Sequence, residues 1–344
     1  MRNGQMLNTK DLFVSFKTYA GIVQAVRGVS FELEKGETLA LVGESGCGKT
    51  VTAKALMGLL PNEQVEIGGE VGFHGENLLE YGEDEMTKIR GKHISMIFQD
   101  PMTALNPTMR IGDQIAESII IHEQKTHAEA RAEALEMLEL VKIANAKERM
   151  NQYPFEMSGG MRQRVMIALA LACNPEILIA DEPTTALDVT IQAEILELIM
   201  QLQRERDMGV ILITHDMGVV ASISERIHVM YAGKIVEEGS VREVFYGPKH
   251  PYTFALMKSV PELSSTKQEP LYSIVGTPPD LINPPQGCPF APRCEFAMKI
   301  CKLEPPAGVS CGETQRSYCW LHHPDADITG VPEVLQGRSE AHAR

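Results

Sequence analysis

Residues suited to binding a phosphate are concentrated in one short segment near the start of the chain, Gly43-Glu44-Ser45-Gly46-Cys47-Gly48-Lys49-Thr50. Glycines let successive backbone amides turn toward one point and surround a phosphate without Cβ clashes. In this pattern the lysine reaches the β- and γ-phosphates, and the threonine hydroxyl coordinates Mg²⁺. The segment therefore predicts a phosphate-binding loop for ATP, with nucleotide contacts from Gly43, Ser45, Gly46, Cys47, Gly48, Lys49, Thr50 and Val51.

Two adjacent carboxylates, Asp181 and Glu182, follow the apolar run 177–180. A carboxylate at the end of a buried strand is costly without a partner, and Mg²⁺ held directly or through water supplies one for Asp181. Glu182 lies at the mouth of the same strand, where it can polarise an attacking water. We predict Glu182 as the catalytic base; a solvated acidic turn is the alternative for this pair.

His215 follows a second apolar run, 211–214. It therefore emerges at the carboxyl edge of the predicted sheet, where ligands bind in such folds. There it can hydrogen-bond the γ-phosphate or hold the attacking water. A histidine at a strand end is more often structural when it stands alone, so its place in order with the other segments supports a catalytic role.

A second anion site is predicted at Ser158-Gly159-Gly160, which precedes a helix over about 161–173. Serine and glycine backbone at a helix N-terminus attracts a negative charge. Because the chain already has a phosphate cradle at 43–50, we expect this site to serve the nucleotide of a partner subunit. The alternative is an ordinary serine N-cap.

Length and composition predict one large and one small domain in a chain of 344 residues that is 44% apolar. The longest apolar runs are strand-length, and the N-terminus lacks a signal-peptide core, so we expect a soluble cytoplasmic chain.

A net charge of −14 argues against a nucleic-acid surface. It does not oppose ATP binding, because distant charges are screened beyond about 8 Å at physiological salt.

The apolar patterns predict an α/β fold that positions these segments. Period-two alternation over 6–42 indicates strands, and the region 62–81 indicates short antiparallel ones. Helical spacing over 126–141 indicates a mostly helical insert, about 107–165. Strands are also predicted at 38–42 and 93–98, and continuous apolar runs suited to strands buried on both faces are at 176–180 and 210–214. A proline-rich shift in composition predicts a domain boundary near 247, and the polar tail 324–344 has a composition typical of disorder.

The order of these segments resembles the ATP-binding subunits of ABC transporters, P-loop NTPases with a mixed sheet, over residues 6 to about 247. Within that family it is similar to the ATPases of dipeptide and oligopeptide importers. The finer resemblance depends on 98–107, on 249–253 and on Met161, which stands where the wider pattern has glutamine. The motifs that carry the resemblance are Gly43–Thr50 (Walker A), Gln99 (Q-loop), Ser158–Gly160 (signature), Asp181–Glu182 (Walker B and its glutamate), Ala186–Asp188 (D-loop) and His215 (switch histidine).

The resemblance implies a head-to-tail dimer with a second ABC ATPase, identical or homologous, that encloses two ATP. It adds Gln99 as a catalytic residue and Mg²⁺ ligand, and an upstream aromatic residue that stacks on adenine. Tyr19 is the nearest candidate, although Ala20 falls about where an alignment would put the ring. It further implies two transmembrane permease subunits that dock near 99–106, an extracytoplasmic peptide-binding protein, no nucleic acid, and a peripheral position on the cytoplasmic face of the cell membrane.

Five of the seven cysteines lie between 288 and 319 in a proline- and cysteine-rich extension, 248–323. Their spacing has neither the CxxC pairs of zinc ribbons nor a ferredoxin pattern, so it predicts a metal or Fe–S site without choosing between them. His322 and His323 are further zinc ligand candidates, and free thiols are the alternative. The resemblance favours a [4Fe–4S] cluster on Cys288, Cys294, Cys301 and Cys319, with Cys311 spare.

Two other function classes remain as alternatives. A soluble ABC ATPase acting on DNA or ribosomes favours a coiled-coil insert, a tandem duplication or a basic face, and the sequence shows none of them. A module that holds nucleotide without turnover is disfavoured by the intact Glu182 and His215. The transported molecule stays open between dipeptides, longer peptides, glutathione and nickel chelates.

Overall fold

The computed structural model describes residues 4–61, 63–184, 189–259 and 274–336. The strands are β1 (Gln5–Thr18), β2 (Gly21–Glu34), β3 (Thr38–Val42), β4 (Val65–Phe73), β5 (Glu76–Asn77), β6 (Ile94–Ile97), β7 (Ile177–Asp181), β8 (Gly209–Thr214), β9 (Arg226–Tyr231), β10 (Lys234–Ser240), β11 (Val309–Ser310) and β12 (Arg316–Ser317). The helices are α1 (Lys49–Leu56), α2 (Glu83–Ile89), α3 (Pro101–Ala104), α4 (Ile111–Glu123), α5 (His127–Leu140), α6 (Ala146–Arg149), α7 (Gly159–Leu171), α8 (Val189–Arg206), α9 (Met217–Ile223), α10 (Val241–Tyr246), α11 (Pro251–Lys258) and α12 (Lys299–Leu303).

The chain forms two compact units whose segments alternate along the sequence. The first unit comprises Met1–Leu7, Glu32–Thr38 and Gly72–Ile213, and the second comprises Asn8–Phe31, Leu39–Val71 and Thr214–Arg344. The predicted domain boundary near 247 stays a prediction.

The first unit contains three parallel strands in the order β6, β7, β8, with Ile94 opposite Ile177 and Ile177 opposite Gly209. Nearly every residue of these strands is apolar, and all are buried, as expected of parallel strands covered on both faces. The runs predicted as buried parallel strands are thereby confirmed. Polar residues follow the carboxyl ends of β6 and β7, where the apolar runs stop.

The predicted helical insert is also part of the first unit and is built from α4 to α7. Ile111, Ile115 and Ile119 are fully buried at four-residue spacing, which places them on one face of α4. That helix packs on α5 and α7. Helix α5 begins at a capping box in which the Thr126 hydroxyl accepts from the backbone of Glu129 and the Glu129 carboxylate accepts from the backbone of Thr126.

The second unit contains a mixed sheet. Strand β3 is parallel to β9, β9 is antiparallel to β10, and β10 continues through antiparallel β12 to β11. The turn between β9 and β10 is formed by Ala232 and Gly233, and Gly233 has φ of 79°. An apolar cluster beside this sheet includes the fully buried Tyr231 and Tyr252 together with Phe290.

The start of the predicted polar tail differs from its expected disorder. Val331 and Leu335 are buried in a cluster with Cys319 and Leu321. Together with the partly buried Ile328 and Val334, these apolar side chains anchor the first part of the tail. Residues 337–344 lie outside the described part of the chain. No described helix combines the length and the apolar character needed to cross a membrane.

Candidate functional site

The predicted phosphate-binding loop connects β3 to α1 in the second unit, and its glycines are required by its backbone. Gly43 has φ of 149°, and a Cβ there would lie 2.2 Å from the carbonyl oxygen of Met230. Gly48 has φ of 108°, and a Cβ there would lie 2.5 Å from the carbonyl oxygen of Ala25. A side chain at either position would therefore clash with neighbouring backbone in a conformation that only glycine adopts readily.

The lysine of the loop is folded against the loop itself. Lys49 is buried, and its Nζ donates to the carbonyl oxygens of Gly43 at 2.6 Å and Glu44 at 3.1 Å. Thr50 is the second residue of α1, while Ser45 and Gly46 are exposed at the tip of the loop. Burial raises the pKa of Cys47, so its thiol stays neutral and packs as a small apolar group.

Gln99 and the two predicted carboxylates lie together in the first unit. Asp181 is the last residue of β7 and is almost completely buried. The side-chain amide of Gln99, two positions after β6, donates to the Glu182 carboxylate at 2.9 Å. Gln99 and Glu182, which follow adjacent parallel strands, are therefore in direct contact.

Glu182 has an unusual backbone conformation. Its φ is 48°, in the left-handed region that residues other than glycine seldom adopt. Its backbone N–H donates to the carbonyl oxygen of Ile213 in β8 at 2.8 Å, which holds this conformation. Strain of this kind is concentrated at functional sites, and here it turns the side chain toward Gln99 at the end of the strands.

The signature segment begins α7 in the first unit. The Ser158 hydroxyl accepts from the backbone N–H of Met161 at 3.4 Å, so this serine is an N-cap. That role leaves the two glycines unexplained. A Cβ on Gly159 would meet no atom of the described residues within 4 Å, and one on Gly160 would make an ordinary contact with Ile191. Nothing in the described residues therefore requires glycine at these two positions.

The other nucleotide candidates are His215 and Tyr19. His215 is an exposed residue directly after β8, and the Asp216 side chain next to it caps α9. His215 belongs to the second unit, as does the phosphate-binding loop. Tyr19 is fully exposed at the turn between β1 and β2, and adenine stacking by it stays a prediction. The D-loop, 186–188, lies outside the described residues.

Four of the five clustered cysteines are electrostatic neighbours of one another in the second unit, and none of the five forms a disulfide. Burial, and then the neighbouring Cys301, raises the pKa of Cys288 to about 11. Burial, and then Cys288 and Cys301, raises the pKa of Cys294 to about 12. Burial, and then Cys288, Cys294 and Cys301, raises the pKa of Cys319 well above its usual value. Cys311 has Glu237 and Lys249 as its charged neighbours instead.

One cluster of metal-binding residue types was not found from the sequence. Glu176 contacts His93 Nδ1 at 2.6 Å with one carboxylate oxygen and His74 Nε2 at 3.0 Å with the other. These residues come from separate segments that meet at the amino ends of β6 and β7, so no local motif predicts them. They lie at the opposite edge of the strands from Gln99 and Glu182. Direct hydrogen bonds satisfy both carboxylate oxygens, which makes this a surface ion-pair group.

Comparison with known proteins gives matches over nearly the whole chain. The family model described as ABC transporter matches residues 26–185, and the one described as oligopeptide/dipeptide transporter, C-terminal region, matches residues 236–301. The oligopeptide transport ATP-binding protein OppD of Bacillus subtilis (strain 168) is 54% identical over 339 residues, which are 98% of this chain and 95% of that protein. The dipeptide transport ATP-binding protein DppD of the same organism is 54% identical over 324 residues, 94% of this chain and 96% of that protein.

A solved structure supports the fold. It is a dimeric ATP-binding cassette in a post-hydrolysis state bound to ADP and Pi, with a TM-score of 0.63 and 30% sequence identity. The match covers 69% of this chain and 99% of that chain. The P-loop ATPase fold with a mixed sheet is thereby confirmed.

Proposed function

Since this chain belongs to the ATP-binding subunits of oligopeptide and dipeptide ABC importers, which hydrolyse ATP, we propose the following assignment of its residues to that reaction. The loop 43–50 binds the triphosphate through its backbone amides and Lys49. Thr50, Asp181 and Gln99 are the residues that hold Mg²⁺, directly or through water, and Mg²⁺ bridges and neutralises phosphate oxygens when bound. Val51 and Tyr19 complete the nucleotide contacts.

Glu182 is the proposed catalytic base. The observation that carries this assignment is the contact with Gln99, because it fixes the direction of a carboxylate that is already held by a strained backbone. A carboxylate placed in this way can accept a proton from the water that attacks the γ-phosphate. His215 is proposed to hold the same water or the γ-phosphate itself.

The signature segment is proposed to complete the ATP site of a partner ATPase. Ser158 and Gly159 are exposed at the N-terminus of a thirteen-residue helix, which attracts a phosphate. The glycines have no packing role among the described residues, so a group outside the chain that approaches the backbone closely explains them better. A partner's γ-phosphate is such a group. The partner is a second copy of this chain or a homologous ATPase.

The surface after Gln99 is proposed to receive a permease subunit. Helix α3 follows directly, has no buried residue, and its Met102 is 56% exposed. The large exposed side chain of Phe155 belongs to the neighbouring helical insert. A permease subunit that covers these two side chains would remove exposed apolar surface from water. Two permease subunits and an extracytoplasmic peptide-binding protein complete the proposed importer, which places this chain on the cytoplasmic face of the membrane.

The C-terminal cysteines are proposed to hold a [4Fe–4S] cluster. Cys288, Cys294, Cys301 and Cys319 are mutual neighbours and Cys311 is not, which agrees with the expected ligand set. Tetrahedral zinc, with Zn–S of about 2.3 Å, needs sulfurs roughly 4 Å apart. Among the described residues, three ligand atoms lie within 4.8 Å of one another only at His74, His93 and Glu176. This spacing disfavours zinc on these four thiols and leaves the [4Fe–4S] cluster as the proposed group. When bound, it would link the segments of a small extension.

Uptake by the reconstituted importer tests the proposed function. The chain, its partner ATPase and the permeases are placed in vesicles with ATP on the side that this chain faces, and the binding protein is added on the other side with labelled substrate. Uptake of a dipeptide or a longer peptide that depends on ATP and stops with Lys49→Ala is the expected result. Glutathione or nickel-chelate uptake without peptide uptake would replace the peptide assignment.

A further inference from the structure

Two residues of the C-terminal region contact the phosphate-binding loop at the same residue. The Arg293 guanidinium donates to both carboxylate oxygens of Glu44, from Nη1 to Oε2 at 2.6 Å and from Nη2 to Oε1 at 3.1 Å. The backbone N–H of Glu44 donates to the Tyr252 hydroxyl at 2.8 Å. The side chain and the backbone of one loop residue are thus held by residues 249 and 208 positions further along the chain.

The surroundings of Arg293 fix its orientation. Its side chain is 5% exposed. Besides the Glu44 carboxylate, it donates to the Tyr231 hydroxyl and to the carbonyl oxygens of Ile274 and Val275, at 3.1–3.2 Å. All five of its N–H donors therefore have an acceptor. A planar guanidinium that is held in this way and binds both oxygens of a carboxylate sets the direction of that carboxylate, which a lysine does not reproduce.

Tyr252 is fixed as firmly. It is fully buried, and its ring packs on Tyr231 and Phe290 at centroid distances of 4.6 and 5.3 Å. Its own backbone N–H is capped by the His250 side chain at the start of α11. The position of its hydroxyl is therefore set by these packing and capping contacts rather than by Glu44.

Glu44, which Arg293 and Tyr252 hold, also binds the lysine of the loop. Lys49 Nζ donates to the carbonyl oxygens of Gly43 and Glu44, so the Arg293 and Tyr252 contacts help to set the position of one of its two acceptors. We propose that Arg293 and Tyr252 are positioning residues that set the phosphate-binding loop for ATP through Glu44. The proposal rests on the proposed function, since it takes 43–50 as the ATP site. Arg293 directly precedes Cys294, so the turn that carries a proposed cluster ligand also carries this contact.

The test measures the affinity of the full-length chain for a fluorescent ATP analogue with Mg²⁺, together with kcat and KM in the assembled importer. Arg293→Gln is expected to raise Kd about tenfold, because a charge-assisted pair is lost, while kcat at saturating ATP stays near wild type. Tyr252→Phe removes only the hydroxyl and is expected to raise Kd about threefold, the effect of one weaker hydrogen bond. Arg131→Gln breaks another arginine–carboxylate pair, with Asp113 in the helical insert, and should leave Kd unchanged.

A double substitution shows whether Arg293 acts through Glu44. The double variant Glu44→Gln/Arg293→Gln should bind ATP no more weakly than Arg293→Gln alone, because the two substitutions remove the same Arg293–Glu44 contact. Lys49→Ala is the reference that abolishes binding. Wild-type affinity in both Arg293→Gln and Tyr252→Phe, with binding lost in Lys49→Ala, overturns the positioning role alone. Wild-type affinity in Lys49→Ala overturns the assignment of the loop itself.

Discussion

The Gln99 side-chain amide donates to the Glu182 carboxylate across 2.9 Å, and the two residues follow adjacent parallel strands. The backbone N–H of Glu182 is bound at the same time to Ile213 of the third strand. The carboxylate is therefore fixed by contacts from both neighbouring strands. This arrangement supports Glu182 as the base that activates water.

Removing the negative charge of Glu182 tests that role. Glu182→Gln is expected to lower ATP turnover by about 10²–10⁴-fold, because a general base is lost, while MgATP affinity is retained. Gln99→Ala should lower turnover less, and in the Glu182→Gln background it should add little, since it acts on the same carboxylate. Steady-state ATPase rates of the four proteins give the comparison.

Glu197→Gln is the matched control for charge, because Glu197 is exposed on α8 away from the strand ends. Its turnover should equal that of the wild type. Undiminished turnover in Glu182→Gln would remove this carboxylate from the reaction.

Substitution by alanine should have different effects at Gly43, where a Cβ would clash, and at Gly159, where it would not. Gly43→Ala places a Cβ against the Met230 carbonyl, and we expect a loss of about 1–3 kcal/mol in the free energy of unfolding together with weak ATP binding. Gly159→Ala, in a helix and free of clashes in the described part of the chain, should keep thermal stability and ATP binding but lower turnover in the assembled pair. Thermal unfolding and ATPase rates measure both. Equal losses of stability would contradict the distinction.

Of the five clustered cysteines, Cys311 is the one that is not a proposed cluster ligand. Serine at Cys288, Cys294, Cys301 or Cys319 should remove most of the iron and sulfide from anaerobically purified protein, because each removes one cluster ligand. Cys311→Ser should retain both and serves as the control. Colourless wild-type protein with stoichiometric zinc would refute the cluster.

Buried His250 should make stability depend on pH. Burial, followed by the charge of His322, lowers the pKa of His250 from 6.5 to about 3. Between these values the unfolded chain binds a proton that the folded chain excludes, so stability falls as pH drops from about 6.5 toward 3. His250→Asn keeps a helix-capping side chain without the titration. Urea unfolding should show that the wild type loses about 2 kcal/mol more than this variant between pH 7 and pH 5. Equal losses would exclude the histidine as the cause.

The site residues at strand ends were predictable because a buried parallel strand is an uninterrupted apolar run, and the polar residue that ends it is conspicuous. That signal located Asp181 and Glu182, whereas Gln99 was expected from the family resemblance; the structure places Gln99 and Glu182 in contact. The positive φ of Glu182 has no such signal, since nothing in the residue type requires it.

Contacts between distant segments were not predictable. Arg293 and Glu44 are separated by 249 positions, and neither belongs to a periodic pattern that would pair them. Cysteine spacing alone could not separate Cys311 from the other four, because the separation depends on how the extension folds. Val331 and Leu335 show the same limit, because the cluster that buries them includes side chains distant in sequence, such as Phe254.

Ser158 is proposed to act on a nucleotide bound by another protomer. This role can be tested with the MgATP affinity of the full-length Ser158→Arg variant at concentrations too low for pairing. We expect an affinity within about twofold of the wild type, because this serine is proposed to lie outside the chain's own nucleotide site, whereas Lys49→Ala loses binding under the same conditions. A Ser158→Arg chain that loses ATP as completely as Lys49→Ala would place the serine in its own chain's site and exclude the shared site.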